Sequence, residues 1–538
     1  MIGLRISKAL LTAEMNALVK VELHHFLEIA QTEGLAAPDT SLFFDVNDDG
    51  WSIDLRAPDK CHVEGVGKKS IMLMADEGPQ LNIQQRYHVT YCEQIDDASL
   101  ADEQSEQQTE WQAQPLSTIK PKGGDAVNVT SHLSSYVVIA CSPLQDAPLS
   151  ELWLAGDEVR SLTSAAFPST ILSSAIFFSP TTPSPTTPSP TTSVSKVSHA
   201  DGSKHLPVSQ HSLVSKHLAW LIGALILDFP LEDALIIARA SLNVSRETWP
   251  RSVDDFPIIP SITAENRDIE NTSGGKSSAV GVLPISEASI PETSISDTND
   301  NRHLFNAVNA ADLSFYPVVD DVMWVDRLLR LGVKTIQLRI KNPHQADLEQ
   351  QIKQAVLLGK TYQAQVFIND YWQLAIQYQA FGVHLGQDDL HTADIQALRH
   401  AGIRLGISTH GYWEILKAQQ LHPSYIALGH IFPTTTKQMP SQPQGLARLR
   451  LYQQFVDSIA KAHHRVIPTV AIGGIDLNNA ATVLAQGVSS LAVVRAVTQA
   501  TNTASAVDDF QRLFLSREGA LSRNVRSQPR RKAHGTAR

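Results

Sequence analysis

A series of short stretches in the C-terminal half carries polar side chains at spacings suited to phosphorylated ligands. "QLRIK" offers Gln337, Arg339 and Lys341 at alternate positions, which in an extended strand share one face. Three donors on one face point to an anion. "FINDY" brings Asn369 and Asp370, and "GVHLGQDDL" brings His384, Gln387, Asp388 and Asp389. A carboxylate from each of two adjacent strand ends suits Mg²⁺, which takes one or two carboxylates and fills its octahedron with water and phosphate oxygens. Asp388 or Asp389 can equally cap the helix that follows, but the nearby Arg339 and Lys341 favour the metal. "GISTH" supplies Ser408, Thr409 and His410. "FPTTTKQMP" holds Thr434, Thr436 and Lys437 between two prolines in a long patternless loop, a kind usually kept for function. "AIGGI" contributes Gly473 and Gly474, which let backbone N–H groups approach a ligand, and "AVVRAV" contains Val494 and Arg495.

These residues need a scaffold that delivers them to one place. After Leu313, short apolar or β-branched runs alternate with amphipathic helical stretches. The strands expected are Ser314 to Val319, Thr335 to Ile340, Gln365 to Ile368, Phe381 to Leu385, Arg404 to Ser408, Tyr425 to Leu428, Ile467 to Ile472 and Ser490 to Val494. Gly332, Gly402 and Gly487 fall where helices should end. Eight such alternations describe a (β/α)8 barrel, an α/β fold, with a doubly wound open sheet as the alternative. In a barrel the active site lies at the C-terminal ends of the strands, where all the stretches above fall. They add up to a Mg²⁺ site, a basic pair, a Thr/Lys loop and a backbone phosphate cup. That set suits a diphosphate on the metal and a monophosphate in the cup.

The ordered motifs "QLRIK", "FINDYWQLA", "GVHLGQDDL", "LGISTH", "YIALGHIFPTTTKQMP", "PQGL", "PTVAIGGI" and "AVVRAVTQA" resemble those of thiamine-phosphate synthases from about Leu313 to Ala500. The resemblance implies a Mg²⁺-dependent transferase. It would condense 4-amino-2-methyl-5-hydroxymethylpyrimidine diphosphate with a thiazole phosphate, giving thiamine phosphate and pyrophosphate. It implies Asp370 and Asp389 as metal ligands, and Arg339, Lys341, Asn369 and Lys437 as diphosphate contacts. Gln337 and Ser408 fall on the pyrimidine side. Thr434, Thr436, Gly474, Val494 and Arg495 fall on the thiazole phosphate, and Arg339, Lys341, Ser408 and Lys437 are the residues expected to support the chemistry. Arg495 stands where the family usually has a small residue. Alternatives on the same barrel are a thiazole tautomerase-like enzyme, which does not need both acids and the full basic pair, and a non-catalytic thiamine phosphate-binding barrel.

The rest of the chain is less legible. Residues 1–260 read as an α/β domain with a low-complexity insert at 179–192, "SPTTPSPTTPSPTT", a spacer despite sharing its letters with the Thr/Lys loop. Residues 96–114 are also rich in Gln, Glu, Asp and Ser. A Ser/Thr/Glu-rich linker at 261–301, a barrel at 302–516 and a basic, unstructured tail at 517–538 complete the expected organisation. "LAWLIGALILDFPLEDALIIARASLNVSRETW" reads as two packed helices joined at Phe229-Pro230, and resembles the closing helix pair of hydroxymethylpyrimidine-phosphate kinases. The chain lacks their "GTGC" and glycine-rich "AGSDxxGGAG" motifs, which favours a degenerate, ribokinase-like domain over an active kinase, with an unrelated α/β or regulatory module as the further alternative.

A net charge of -11 argues against a nucleic-acid partner. Cys61, Cys92 and Cys141 are widely spaced and read as free thiols of a reducing compartment. The N-terminus lacks the pattern of a signal peptide, and the longest apolar run, Leu218 to Leu227, is half of what a membrane span needs. The expectation is a cytoplasmic protein with small-molecule substrates and no membrane partner, for which a homo-oligomer is compatible with the sequence.

Overall fold

The computed structural model describes residues 2–6, 13–38, 40–47, 50–56, 69–75, 85–92, 134–140, 150–155, 158–163, 208–257, 259, 304–434 and 442–527. The low-complexity stretches, the linker at 261–301, Cys61, Cys141, Thr436, Lys437 and residues 528–538 lie outside the described residues. The chain divides into two compact units, N-terminal and C-terminal.

The N-terminal unit is an α/β layer structure. Its strands are β1 (Ile2–Ile6), β2 (Ser41–Asn47), β3 (Gly50–Arg56), β4 (Lys69–Ala75), β5 (Gln85–Cys92), β6 (Ser134–Ala140), β7 (Ser150–Ala155) and β8 (Glu158–Thr163). They form one sheet in the order β2-β3-β4-β1-β5-β6-β7-β8. The inner strands β4, β1, β5 and β6 are parallel, and antiparallel pairs flank them. Helix α1 (Ala13–Thr32) packs on α2 (Val208–Ile226), which packs in turn on α3 (Leu231–Ser241), the second member of the expected helix pair. The break between them comes at Asp228, which takes a left-handed φ of 63°, and at Pro230, which opens α3.

From Val214 on, α2 is buried all round, which explains its unbroken apolar run. Gly223 admits the ring of Phe26, since a Cβ there would lie 2.4 Å from it. Phe26 in turn meets Trp220 edge-on at 5.1 Å. Beside this apolar cluster, Glu22 pairs with Arg246 at 2.7 Å. Burial pulls the Lys216 ammonium down to about 8, against the attraction of Glu22.

The C-terminal unit closes into a barrel of eight parallel strands, β9 (Phe315–Val319), β10 (Thr335–Leu338), β11 (Gln365–Asn369), β12 (Gly382–Leu385), β13 (Arg404–Thr409), β14 (Tyr425–Gly429), β15 (Thr469–Ile472) and β16 (Ser490–Val493). Closure is sealed by β16 pairing with β9, Leu491 opposite Phe315. All eight expected strands are present, and the open-sheet alternative falls with the closure. Strand β10 stops at Leu338, short of the expected Ile340, although the Arg339 amide still donates to the Val319 carbonyl at 2.7 Å.

Bulky side chains fill the barrel interior, among them Tyr316, Phe367 and Tyr425. Room for them comes from two glycines. A Cβ on Gly382 would lie 2.3 Å from the Phe367 ring, and one on Gly406 would lie 2.1 Å from the Tyr425 ring.

The outer helices are α4 (Val322–Arg330), α5 (Leu348–Tyr362), α6 (Trp372–Gln377), α7 (Gln387–Thr392), α8 (Ile395–His400), α9 (Tyr412–Gln420), α10 (Gly445–Ala462), α11 (Ala480–Leu484), α12 (Arg495–Thr498) and α13 (Thr503–Ser527). Asp321 caps α4 by accepting from the Met323 and Trp324 amides. Gly332, Gly402 and Gly487 all take positive φ, as expected of helix-terminating glycines. Helix α13 runs on to Ser527, so residues 517–527 are helical where an unstructured tail was expected. The segment holds good helix formers, and Arg517 donates to the Val488 carbonyl at 2.6 Å.

Candidate active site

The C-terminal ends of β10 to β13 form a continuous polar wall. Gln337 is buried in β10, and Arg339 follows the strand half-buried. Lys341 is exposed two residues on. Next along the barrel, β11 ends on buried Asn369, and the exposed Asp370 comes immediately after it at φ 65°. Asp tolerates this left-handed conformation better than most residues. The Asp370 amide donates to the His384 carbonyl, tying the end of β11 to β12.

After β12 the acidic "GQDDL" run is itself a short helix, α7, which carries no apolar period. Asp389 Oδ2 accepts from the Gly386 amide at 2.9 Å, so Asp389 closes a capping box from the third position of α7, whereas the N-cap of the helix that follows, a place weighed for Asp388 or Asp389, is Asp394. Gln387 reaches across to donate to the Ser408 carbonyl on β13 at 2.7 Å.

Beneath the wall runs a chain of buried hydrogen bonds. Ser408 Oγ lies 2.8 Å from His384 Nε2, and His384 Nδ1 lies 2.8 Å from Tyr425 Oη. Tyr425 Oη is 2.9 Å from Tyr316 Oη, which accepts from Gln337 Nε2 at 3.3 Å. Burial pushes both phenols well above the usual tyrosine range, so both are protonated at neutral pH.

On the other side of the barrel mouth, the loop that begins after β14 is pinned at both ends. The Gln444 and Gly445 amides donate to the His430 and Ile431 carbonyls at 2.9 Å, and the Gln444 side chain donates to the Gly429 and His410 carbonyls. Thr434 is half-buried, while Thr436 and Lys437 lie outside the described residues. Gly473 and Gly474 sit at φ 104° and 65° against this loop. A Cβ on Gly473 would lie 2.4 Å from His430 Cβ, and one on Gly474 would lie 2.7 Å from Phe432 Cβ and from the Pro433 carbonyl. The glycine pair is therefore required for packing two loops together, a demand separate from any ligand. Val494 and Arg495 open the short helix α12, whose first N–H groups have no partner within the helix. The Arg495 side chain is exposed.

A family model of thiamine monophosphate synthase matches residues 315–497. Thiamine-phosphate synthase of Pectobacterium atrosepticum is 54% identical over 212 residues, 39% of this chain and 96% of the relative. The chain belongs to the thiamine-phosphate synthase family. The enzyme of Klebsiella pneumoniae is 55% identical over 199 residues, 37% of this chain and 90% of its own. Among solved structures, thiamine phosphate pyrophosphorylase from Pyrococcus furiosus is 31% identical, with a TM-score of 0.33, covering 38% of this chain and 96% of that one. As a thiamine-phosphate synthase, the chain is an enzyme of the transferase class.

Within this thiamine-phosphate synthase barrel, three residues with structural parts to play at the site carried no sequence signal. Tyr316 and Tyr425 lie inside strands, where an aromatic normally means core; only their side-chain partners reveal the hydrogen-bond chain. Tyr371 donates to the Ile340 carbonyl at 3.0 Å and so holds the end of the β10 loop against β11. Its phenol is raised by burial and then by the negative charge of Asp370. His430, at the end of β14, is buried, and its imidazole is pushed down by burial and then by the charge of His410. His410 itself is engaged by Glu414, 2.8 Å from its Nδ1, consistent with a structural donor.

The acids fit Mg²⁺. Asp370 and Asp389 are hard oxygen donors from consecutive strand ends, and Asp389 uses only Oδ2 for its cap, leaving Oδ1 without a hydrogen bond among the described residues. No cluster of three or more His, Cys, Asp or Glu able to hold a metal occurs among the described residues. A carboxylate pair is nonetheless enough for Mg²⁺ when phosphate oxygens and water complete the shell.

Proposed function

We propose that the barrel joins 4-amino-2-methyl-5-hydroxymethylpyrimidine diphosphate to 4-methyl-5-(2-phosphoethyl)thiazole, giving thiamine phosphate and pyrophosphate. The observation that carries this reading is the unbroken succession of donors and carboxylates on neighbouring strand ends from Gln337 to Ser408, in a barrel of this family. Asp370 and Asp389 would hold Mg²⁺, which when bound would supply charge neutralisation to the diphosphate. Arg339, Lys341, Asn369 and Lys437 contact the departing diphosphate and stabilise the charge that grows on its leaving oxygen.

The bond from the pyrimidine methylene to oxygen breaks with its electron pair on pyrophosphate. The lone pair of the thiazole nitrogen then forms the new carbon–nitrogen bond, and the ring's own amino group stabilises the cation between the two events. Gln337 and Ser408 orient the pyrimidine. Thr434, Thr436 and the backbone at Gly474, Val494 and Arg495 hold the thiazole phosphate. The protein's part is positioning and neutralisation, with no covalent nucleophile. Purified full-length protein given both substrates and Mg²⁺ is expected to release pyrophosphate and thiamine phosphate in equal amounts. Pyrophosphate release that ignores the thiazole phosphate would overturn the reading.

The N-terminal unit is read as a hydroxymethylpyrimidine-phosphate kinase-like domain that has lost its chemistry. In support, the helix pair α2 and α3 lies with a largely parallel central sheet, while the glycine-rich and "GTGC" motifs are missing. Incubation with hydroxymethylpyrimidine phosphate, ATP and Mg²⁺ is expected to give no diphosphate. The segments at 261–301 and 528–538 are read as linker and tail, and the protein as cytoplasmic. No helix among the described residues is long and apolar enough to cross a membrane.

A further inference from the structure

Five side chains from five strands share one line of hydrogen bonds inside the barrel: Gln337, Tyr316, Tyr425, His384 and Ser408. Its two ends are the residues assigned above to the pyrimidine. With the Gln337 amide turned so that Nε2 faces Tyr316, the direction of every bond follows from counting protons. An amide Nε2 can only donate, so Tyr316 Oη accepts from Gln337. If Tyr425 also donated to Tyr316, the Tyr316 proton would be buried with no acceptor among its described partners, an arrangement that native interiors avoid. Tyr316 therefore donates to Tyr425, and Tyr425 donates to His384 Nδ1. His384 then carries its single proton on Nε2 and donates to Ser408 Oγ. This frees the Ser408 hydrogen to point away from the chain, and it leaves the Gln337 carbonyl oxygen to accept.

We propose that Tyr316 and Tyr425 are positioning residues that fix the donor and acceptor pattern read by the pyrimidine. Ser408 presents an O–H to a ring nitrogen, and Gln337 presents its carbonyl to the ring's amino group. The tyrosines touch no substrate; they act by setting the tautomer of His384 and the amide orientation of Gln337. Gly406 belongs to the same device, because only the absence of a Cβ there lets the Tyr425 ring lie where its hydroxyl reaches both neighbours. The proposal rests on the reading that Gln337 and Ser408 hold the aminopyrimidine.

Two measurements separate the failure of that reading from the failure of the proton order. Full-length protein labelled with heavy nitrogen at histidine, without substrate, is expected to show His384 as the Nε2–H tautomer by two-bond nitrogen–proton correlation. The signal is identified by its loss in His384→Asn. An Nδ1–H tautomer means that every bond runs the other way and overturns the proton order. In kinetics, Tyr425→Phe is expected to raise the KM for the pyrimidine diphosphate about five- to tenfold, the worth of one well-placed hydrogen bond, with the KM for the thiazole phosphate unchanged. The His384 signal should become a mixture of tautomers in the same variant. An Nε2–H tautomer in the parent with no change in the pyrimidine KM overturns the placement of the pyrimidine on this wall, and with it the role of the tyrosines. Should Tyr425→Phe fail to fold, Tyr316→Phe removes the next hydroxyl and is read in the same two ways.

Discussion

Asp389 combines a structural bond with a proposed metal contact, and the two can be told apart by substitution. Asparagine keeps an oxygen that can accept from the Gly386 amide but removes the charge. Asp389→Asn is expected to lower turnover on the order of a hundredfold while moving the melting temperature by no more than about 2 °C. Asp389→Ala should lose similar turnover and in addition about 1 kcal/mol of stability, measured by denaturant unfolding. A fully active Asp389→Asn would remove the metal assignment. His430 titrates in a way that can also be checked. Its folded-state pKa is depressed, so as pH falls below about 6.5 the unfolded chain takes up a proton before the folded one does. Stability contributed by keeping it neutral is thus lost as pH falls toward the folded pKa. His430→Gln should flatten the decline in melting temperature between about pH 7 and pH 5; an unchanged slope would rule this group out as its cause.

At the scale of elements, strand β13 is shaped by what lies over it. Gly406→Ala puts a methyl group 2.1 Å from the Tyr425 ring, and both neighbouring strands constrain the shift that would relieve it. Destabilisation of about 1–3 kcal/mol is expected by denaturant unfolding, with a rise in the pyrimidine KM as the Tyr425 hydroxyl is displaced. Nothing in "RLGIST" marks this glycine, because its need arises from a residue nineteen positions later, across the strand pair. The same holds for Gly473 and Gly474, where packing at the seam between two loops is a demand additional to the expected approach of phosphate. Strands β9 to β16 were legible because each is a short apolar run, buried almost throughout and bounded by a helical period. Helix α7 was not, because "QDDLHT" buries only Leu390 and therefore has no stripe to read.

For the whole molecule, relatives that match 90–96% of their own length cover only 37–39% of this chain. A chain starting at Asn301 is expected to retain turnover within about twofold of the full protein, since a unit with its own core can fold alone. A tenfold loss in a steady-state pyrophosphate assay would show that the N-terminal unit supports the chemistry. By itself, the sequence determined the count of eight strands and the order in which acids, bases and threonines arrive at their ends. It could do so because alternation and strand-end position are local properties, written in consecutive residues. Which of those residues share hydrogen bonds, which glycine yields to which ring, and how Ser408 is joined to Gln337 from three strands away were decided by the tertiary structure alone. Barrel closure brings side chains from distant positions within hydrogen-bond reach, and no local pattern records which of them will meet.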